Sequence, residues 1–179
     1  TYDEFGRVIR AVTKNTNPDG TTYTYEVSYS YDTYGRLILQ NLTRTNADGT
    51  VTKEATRNTY DVFGRLIAQA LDRTNPDGTA IKETTSFEYD SAGRISKVTT
   101  DKTQNGYADS SKVIIYTYDE AGRVLSQKIT ATAQTAGGVI TTQDEINYTY
   151  DTFGRLLSEV AVKTSADGTK TYETTLTAY

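Results

Sequence analysis

The sequence predicts an all-β array: tandem antiparallel β-hairpin repeats of 29 residues forming a spiralling or solenoid-like sheet, with a tube or a fibre as its extended forms. Three observations predict it. A Tyr-Asp pair recurs at a fixed interval, at positions 2, 31, 60, 89, 118 and 150, with spacings of 29, 29, 29, 29 and 32 residues. A second glycine turn falls about half a repeat after each pair. The residues between are rich in strand formers, with 34 threonines and 15 tyrosines in 179 residues.

The first turn is the more constant of the two. Each Tyr-Asp pair is followed at fixed offset by Gly-Arg, so the motif comprises Tyr2, Asp3, Gly6 and Arg7; Tyr31, Asp32, Gly35 and Arg36; Tyr60, Asp61, Gly64 and Arg65; Tyr89, Asp90, Gly93 and Arg94; Tyr118, Asp119, Gly122 and Arg123; and Tyr150, Asp151, Gly154 and Arg155. An apolar residue always comes next: Val8, Leu37, Leu66, Ile95, Val124, Leu156. Asp at the first place and Gly at the fourth suit a type I turn followed by a left-handed residue, the three-residue hairpin loop with a bulge. The second turn reads Asn-Pro-Asp-Gly at 17–20 and 75–78, Asn-Ala-Asp-Gly at 46–49 and Ser-Ala-Asp-Gly at 165–168, and has the same chemistry. The fourth repeat carries Asn105-Gly106 instead. The fifth carries Gly137-Gly138 and three extra residues, which points to a hairpin tip as the place of insertion. A Thr (16, 45, 74, 103, 132, 164) stands near the start of each second turn.

Segments such as 36–45 and 50–60 then read as long strands, about 30–35 Å each. Alternation is visible in Tyr23, Tyr25, Val27, Tyr29 and Tyr31, and again in Ile146, Tyr148 and Tyr150, which places aromatic and apolar side chains on one face. The repeats are 2–30, 31–59, 60–88, 89–117, 118–149 and 150–178, in one uncapped array of about twelve strands. The chain opens inside one motif and stops at Tyr179, which is in phase with the pattern, so a piece of a longer array is expected. Stacking brings equivalent residues together about every 9.6 Å. Arg36 should lie across its turn from Asp32 and near the Tyr of a neighbouring repeat, with a charged hydrogen bond and ring stacking.

Composition removes several functions. There is no Cys, His, Met or Trp. Disulfides, thiolate zinc sites and Ser–His or Cys–His nucleophilic devices cannot be built. The formal charge of -4 is mild and mixed, giving no basic patch for nucleic acid. No apolar stretch approaches the ~20 residues of a membrane-spanning helix, so no membrane insertion is expected, and neither is any cofactor, metal or catalytic residue.

Other features have plain readings. Asn15–Gly20 resembles the opening of a calcium loop, but the distant Glu ligand is not placed, and a hairpin turn suffices. Adjacent carboxylates at Asp119-Glu120 and Asp144-Glu145 point to opposite strand faces and do not form an acid–base pair. Asn41-Leu42-Thr43 and Asn147-Tyr148-Thr149 are glycosylation sequons that matter only in a eukaryotic source.

The string Tyr-x-Tyr-Asp-x-x-Gly-Arg-Leu at 29–37, with its relatives at 116–124 and 148–156, resembles the core of the YD or Rhs repeat. The resemblance covers essentially the whole chain, and 29 residues is longer than the usual unit. It implies a spiralling sheet and a scaffold role in an extracellular or cell-surface protein, bacterial more than otherwise, with neighbouring repeats or further copies of itself as partners. The expected function is a filament-forming structural module. A shell segment enclosing a polypeptide cargo, as in Rhs toxins, and an adhesive module for a surface glycan are the alternatives.

Overall fold

Twelve strands follow one another in the computed structural model, which describes residues 1–178; the in-phase Tyr179 lies outside the described residues. They are β1 (Arg10–Thr16), β2 (Thr22–Tyr31), β3 (Leu37–Thr45), β4 (Val51–Tyr60), β5 (Leu66–Thr74), β6 (Ala80–Tyr89), β7 (Ile95–Gln104), β8 (Tyr107–Tyr118), β9 (Val124–Thr135), β10 (Gly138–Tyr150), β11 (Leu156–Thr164) and β12 (Lys170–Leu176). Their order in the sheet is their order in the sequence, and no helix occurs among the described residues. This all-β run of hairpin-connected antiparallel strands is consistent with a solenoid-like sheet. Two compact units are distinguished: Thr1–Thr85 with Lys102–Tyr107, and Ser86–Asp101 with the residues from Ala108 onward.

In the first unit β2 pairs with β1 and β3, and β4 with β3 and β5. In the second, β9 pairs with β8 and β10, and β11 with β10 and β12. Every one of these ladders is antiparallel.

The ladders are not regular to their ends. Ser30 faces Leu39 but Tyr31 faces Leu37, so Ile38 is an extra residue with no partner across the strand. The same shift recurs at Thr59/Tyr60, Thr117/Tyr118 and Thr149/Tyr150, leaving Ile67, Leu125 and Leu157 as the extra residues. Simple alternation along each strand, as expected from the sequence, therefore breaks beside every one of these Tyr-Asp turns. A bulge of this kind bends its strand and strengthens the local twist.

The insertion in the fifth repeat is a second departure. It does sit at a hairpin tip, but the loop does not grow. Thr135 pairs with Gly138 across a two-residue turn, so the three added residues, with three that the loop gives up relative to 46–50, lengthen β9 to 12 and β10 to 13 residues. Strands β3 and β4 have 9 and 10. Thr141, Thr142, Val139 and Ile140 are good strand residues, and pairing satisfies backbone groups that a longer loop would leave to solvent. In the fourth repeat Asn105, with φ of 51°, and Gly106, with φ of 83°, make a two-residue turn in which both residues are left-handed.

Little is sealed from solvent. Among the described residues only Ala161, at 5% exposure, is fully buried. Most strand side chains are half-buried, covered by cross-strand neighbours and by their own strand partners. Order thus depends on main-chain ladders and on local side-chain devices, and these concentrate at the turns.

Candidate functional site

The repeated Tyr-Asp-x-x-Gly-Arg motif builds one structure. At Asp32, the amide of Gly35 donates to the Asp32 carbonyl at 3.0 Å and the amide of Asp32 donates to the Arg36 carbonyl at 2.9 Å. Gly35 has a φ of 82°, which an L side chain rarely adopts. This is the predicted type I turn closed by a left-handed residue. The Asp32 carboxylate then fills the loop. Its Oδ1 accepts from the amides of Tyr34 and Arg36, both at 2.9 Å, and its Oδ2 accepts from Arg36 Nε at 2.6 Å. Equivalent ion pairs hold Asp3–Arg7, Asp61–Arg65, Asp90–Arg94, Asp119–Arg123 and Asp151–Arg155 at 2.6–2.7 Å.

The same arginines reach the next repeat. The Arg36 guanidinium lies 4.7 Å from the centre of the Tyr60 ring and 5.0 Å from that of Tyr34 in its own turn. Tyr60 reaches back to donate its hydroxyl to the Leu37 carbonyl at 3.0 Å, and Asn58 Nδ2 donates to the same oxygen at 3.1 Å. Arg36 Nη1 donates to the Asp61 carbonyl at 3.5 Å. Arg7 repeats the geometry between Phe5 (4.9 Å) and Tyr31 (4.6 Å), with the Tyr31 hydroxyl donating to Val8.

In the second unit Arg94 lies 4.5 Å from Tyr118, and Tyr118 donates to the Ile95 carbonyl at 2.6 Å. Arg123 lies 4.7 Å from Tyr150, which donates to Val124 at 2.9 Å. The Nη1 atoms of these two arginines donate to the Asp119 and Asp151 carbonyls at 3.2 and 3.4 Å. Arg36, Arg94 and Arg123 thus each serve three purposes: each neutralises its own Asp, stacks on the following Tyr and holds the following turn's backbone. A planar five-donor guanidinium can do all three together; an ammonium cannot.

The remaining motif positions complete the picture. Tyr2 is paired to Val8 by an isolated bridge and is 69% exposed. Tyr89 ends β6, and Arg65 stacks on Phe63 at 5.3 Å. Gly6, Gly64, Gly93, Gly122 and Gly154 all have φ between 77° and 86°.

Electrostatics follow from the contacts. In Asp3, Asp32, Asp61 and Asp151 desolvation pushes the carboxyl up. The amide and guanidinium of the following Arg, and the amide two residues on, outweigh it and leave the group below the ordinary carboxylate value. In Asp90 and Asp119 the Arg amide is the strongest influence, with the same result. The Tyr118 phenol is pushed up by desolvation and by its neighbour Tyr116. With its carboxylate accepting from both the amide and the guanidinium of the following Arg, each turn Asp is engaged in turn closure.

The second turns that end in Asp-Gly close on themselves, whereas Asn105 of the fourth repeat accepts from the Ala80 amide at 2.9 Å. At 46–50, Asn46 N donates to the Thr50 carbonyl, Asn46 Nδ2 to Thr50 Oγ1, and Asp48 Oδ1 accepts from both the amide and the hydroxyl of Thr50. Asp19 does the same with Thr21, so the carboxylate of the calcium-like segment closes its own turn. Among the described residues no three acidic side chains gather as a metal site would need.

Two sets of residues escaped the sequence reading. One is the Thr directly after the second-turn glycine (Thr21, Thr50, Thr79, Thr169), visible in hindsight as a repeated Asp-Gly-Thr string. The other is the aromatic before the first-turn glycine (Phe5, Tyr34, Phe63, Phe153), which packs on its own Arg. In repeats four and five that place is Ala92 and Ala121, so the signal is incomplete.

The RHS Repeat family model matches residues 60–104, consistent with a YD/Rhs repeat family. No curated protein matches the chain. A crystal structure of a protein of unknown function from Bacteroides fragilis NCTC 9343 aligns over 89% of this chain and 94% of its own, at 12% identity and a TM-score of 0.33.

Proposed function

We propose that this run of RHS-type repeats is a structural module of an extracellular or cell-surface protein, able to extend into a filament. RHS repeat proteins are typically found at the cell surface or outside it. The observation that carries the reading is the seam itself: Arg36 to Tyr60 and Asp61 in one unit, and Arg94 to Tyr118 and Asp119 in the other, have the same chemistry. A residue set that links each turn to the next adds stiffness with every repeat, and its groups are committed to one another instead of to a substrate. Electron microscopy of the native protein in negative stain tests this. A uniform rod is expected; a hollow particle of fixed size would replace the filament with a shell around a polypeptide cargo.

One observation favours an adhesive role as a second reading. The turn aromatics of the first unit are exposed, Phe5 at 73%, Tyr34 at 83% and Phe63 at 81%. They border two clefts of about 590 and 550 Å³, floored by Arg7 with Tyr31 and by Arg36 with Tyr60. A glycan array comparing the chain with Tyr34→Ala decides the matter: signal lost with Tyr34→Ala supports adhesion, and no signal from either removes it.

A further inference from the structure

Tyrosine is the readily oxidised side chain of this protein, because Cys, Met, Trp and His are all absent while Tyr occurs 15 times. The usual sinks for oxidising equivalents, thiol and thioether, are therefore missing. What remains is paired. Tyr23 and Tyr25 stand on one face of β2 with ring centroids 5.6 Å apart. Tyr116 and Tyr118 stand on one face of β8, stacked at 6.5 Å. Both pairs follow from the two-residue side-chain period of a strand. Each pair is half-buried and fixed in a ladder, Tyr25 opposite Thr13 and Arg44, Tyr116 opposite Gln127.

We propose that Tyr23–Tyr25 and Tyr116–Tyr118 are oxidative cross-linking sites, each closing to a dityrosine under hydrogen peroxide and a haem peroxidase. Each phenol gives up its hydroxyl proton and one electron, leaving a phenoxyl radical. The two radicals couple through ring carbons ortho to oxygen, and tautomerisation restores both phenols. Two hydrogen atoms leave per cross-link and one peroxide is reduced to two waters. Holding the rings close, edge to face in Tyr23–Tyr25 and stacked in Tyr116–Tyr118, replaces a bimolecular encounter with a local one, which favours coupling inside the strand over coupling between molecules. The product is a covalent staple in a chain that can make no disulfide. Exposed tyrosines such as Tyr34 (83%) and Tyr107 (80%) supply the internal contrast, being reachable from outside.

The test is peroxidase treatment of the dilute full chain, followed by dityrosine fluorescence, denaturing gels and peptide mapping. The expected result is a monomeric product whose cross-linked peptides hold residues 23 and 25 and residues 116 and 118, each lighter by two hydrogen atoms. Tyr25→Phe and Tyr116→Phe should each remove about half of the fluorescence, with far-UV circular dichroism unchanged. Tyr34→Phe should leave it intact. Coupling only between molecules through Tyr34 or Tyr107, or no coupling at all while the tyrosines are otherwise oxidised, would overturn the proposal.

Discussion

The two turns of a repeat share a backbone and differ in reach. At both, glycine sits at a φ near 82°, as Gly35 and Gly49 do, and an Asp carboxylate accepts from nearby amides. At the Asn-x-Asp-Gly end every such side-chain bond closes within five residues, as in Asn46–Thr50. At the Tyr-Asp end Arg36 spans 25 residues to Asp61, and Tyr60 spans 23 back to Leu37. The difference teaches where length can vary. The second-turn end takes a two-residue turn in repeat four, where Asn105 reaches 25 residues back to Ala80, and three extra residues in repeat five, whereas the Tyr-Asp end keeps its motif and its offsets throughout.

Breaking the linked end should give the largest effect. Arg36→Ala removes stacking from two rings and the bond to Asp61, and should cost about 2 kcal/mol in denaturant unfolding. Arg36→Lys should recover less than half. A result near zero would make the seam ornamental. Glycine substitutions sharpen the comparison next. Gly49→Ala, with open space around the new Cβ, should lose about 1–2 kcal/mol from the left-handed backbone alone. Gly35→Ala should lose more, because its Cβ would lie 3.1 Å from Arg7 Nη1. Equal losses would place the whole penalty in the backbone.

Tyr60→Phe keeps the ring and removes the bond to Leu37, for about 1 kcal/mol. The smallest effect is the pH dependence. The turn carboxylates of both ends lie below the ordinary value of 3.8, lowered at Asp32 by the Arg36 bonds acting against desolvation and at Asp48 chiefly by the Thr50 hydroxyl. A depressed folded value means stability that is present above the unfolded value and lost as the pH falls through the folded one. Melting temperatures should therefore hold from pH 7 to about 4 and fall below it. The fall should be shallower in Arg36→Ala than in the parent chain, because the guanidinium no longer helps the Arg36 amide hold Asp32 low.

Hairpin limits were legible in the sequence because a left-handed position all but demands glycine, and Gly35 and Gly49 each declare one. The Arg36 partners were legible because a fixed period fixes which residues stack. The bulge at Ile38 was not, since an extra aliphatic in a run such as Leu37-Ile38-Leu39 looks like ordinary strand. Thr21 and Thr50 were hidden among 34 threonines, where one more in a turn carries little information. Whether the Tyr face is covered could not be read either: alternation says which side chains share a face and nothing about what lies over it, and the structure leaves Ala161 as its sole buried residue among those described.

The lengthened β9 and β10 bear on how such arrays change over time. Where one end of a hairpin is clasped to its neighbour and the other closes upon itself, as at Asp32 and Asn46, the repeat resembles a comb with a fixed spine and teeth of adjustable length. Residues gained at the tips join a ladder already in register, so diversification can proceed tooth by tooth without renegotiating the spine.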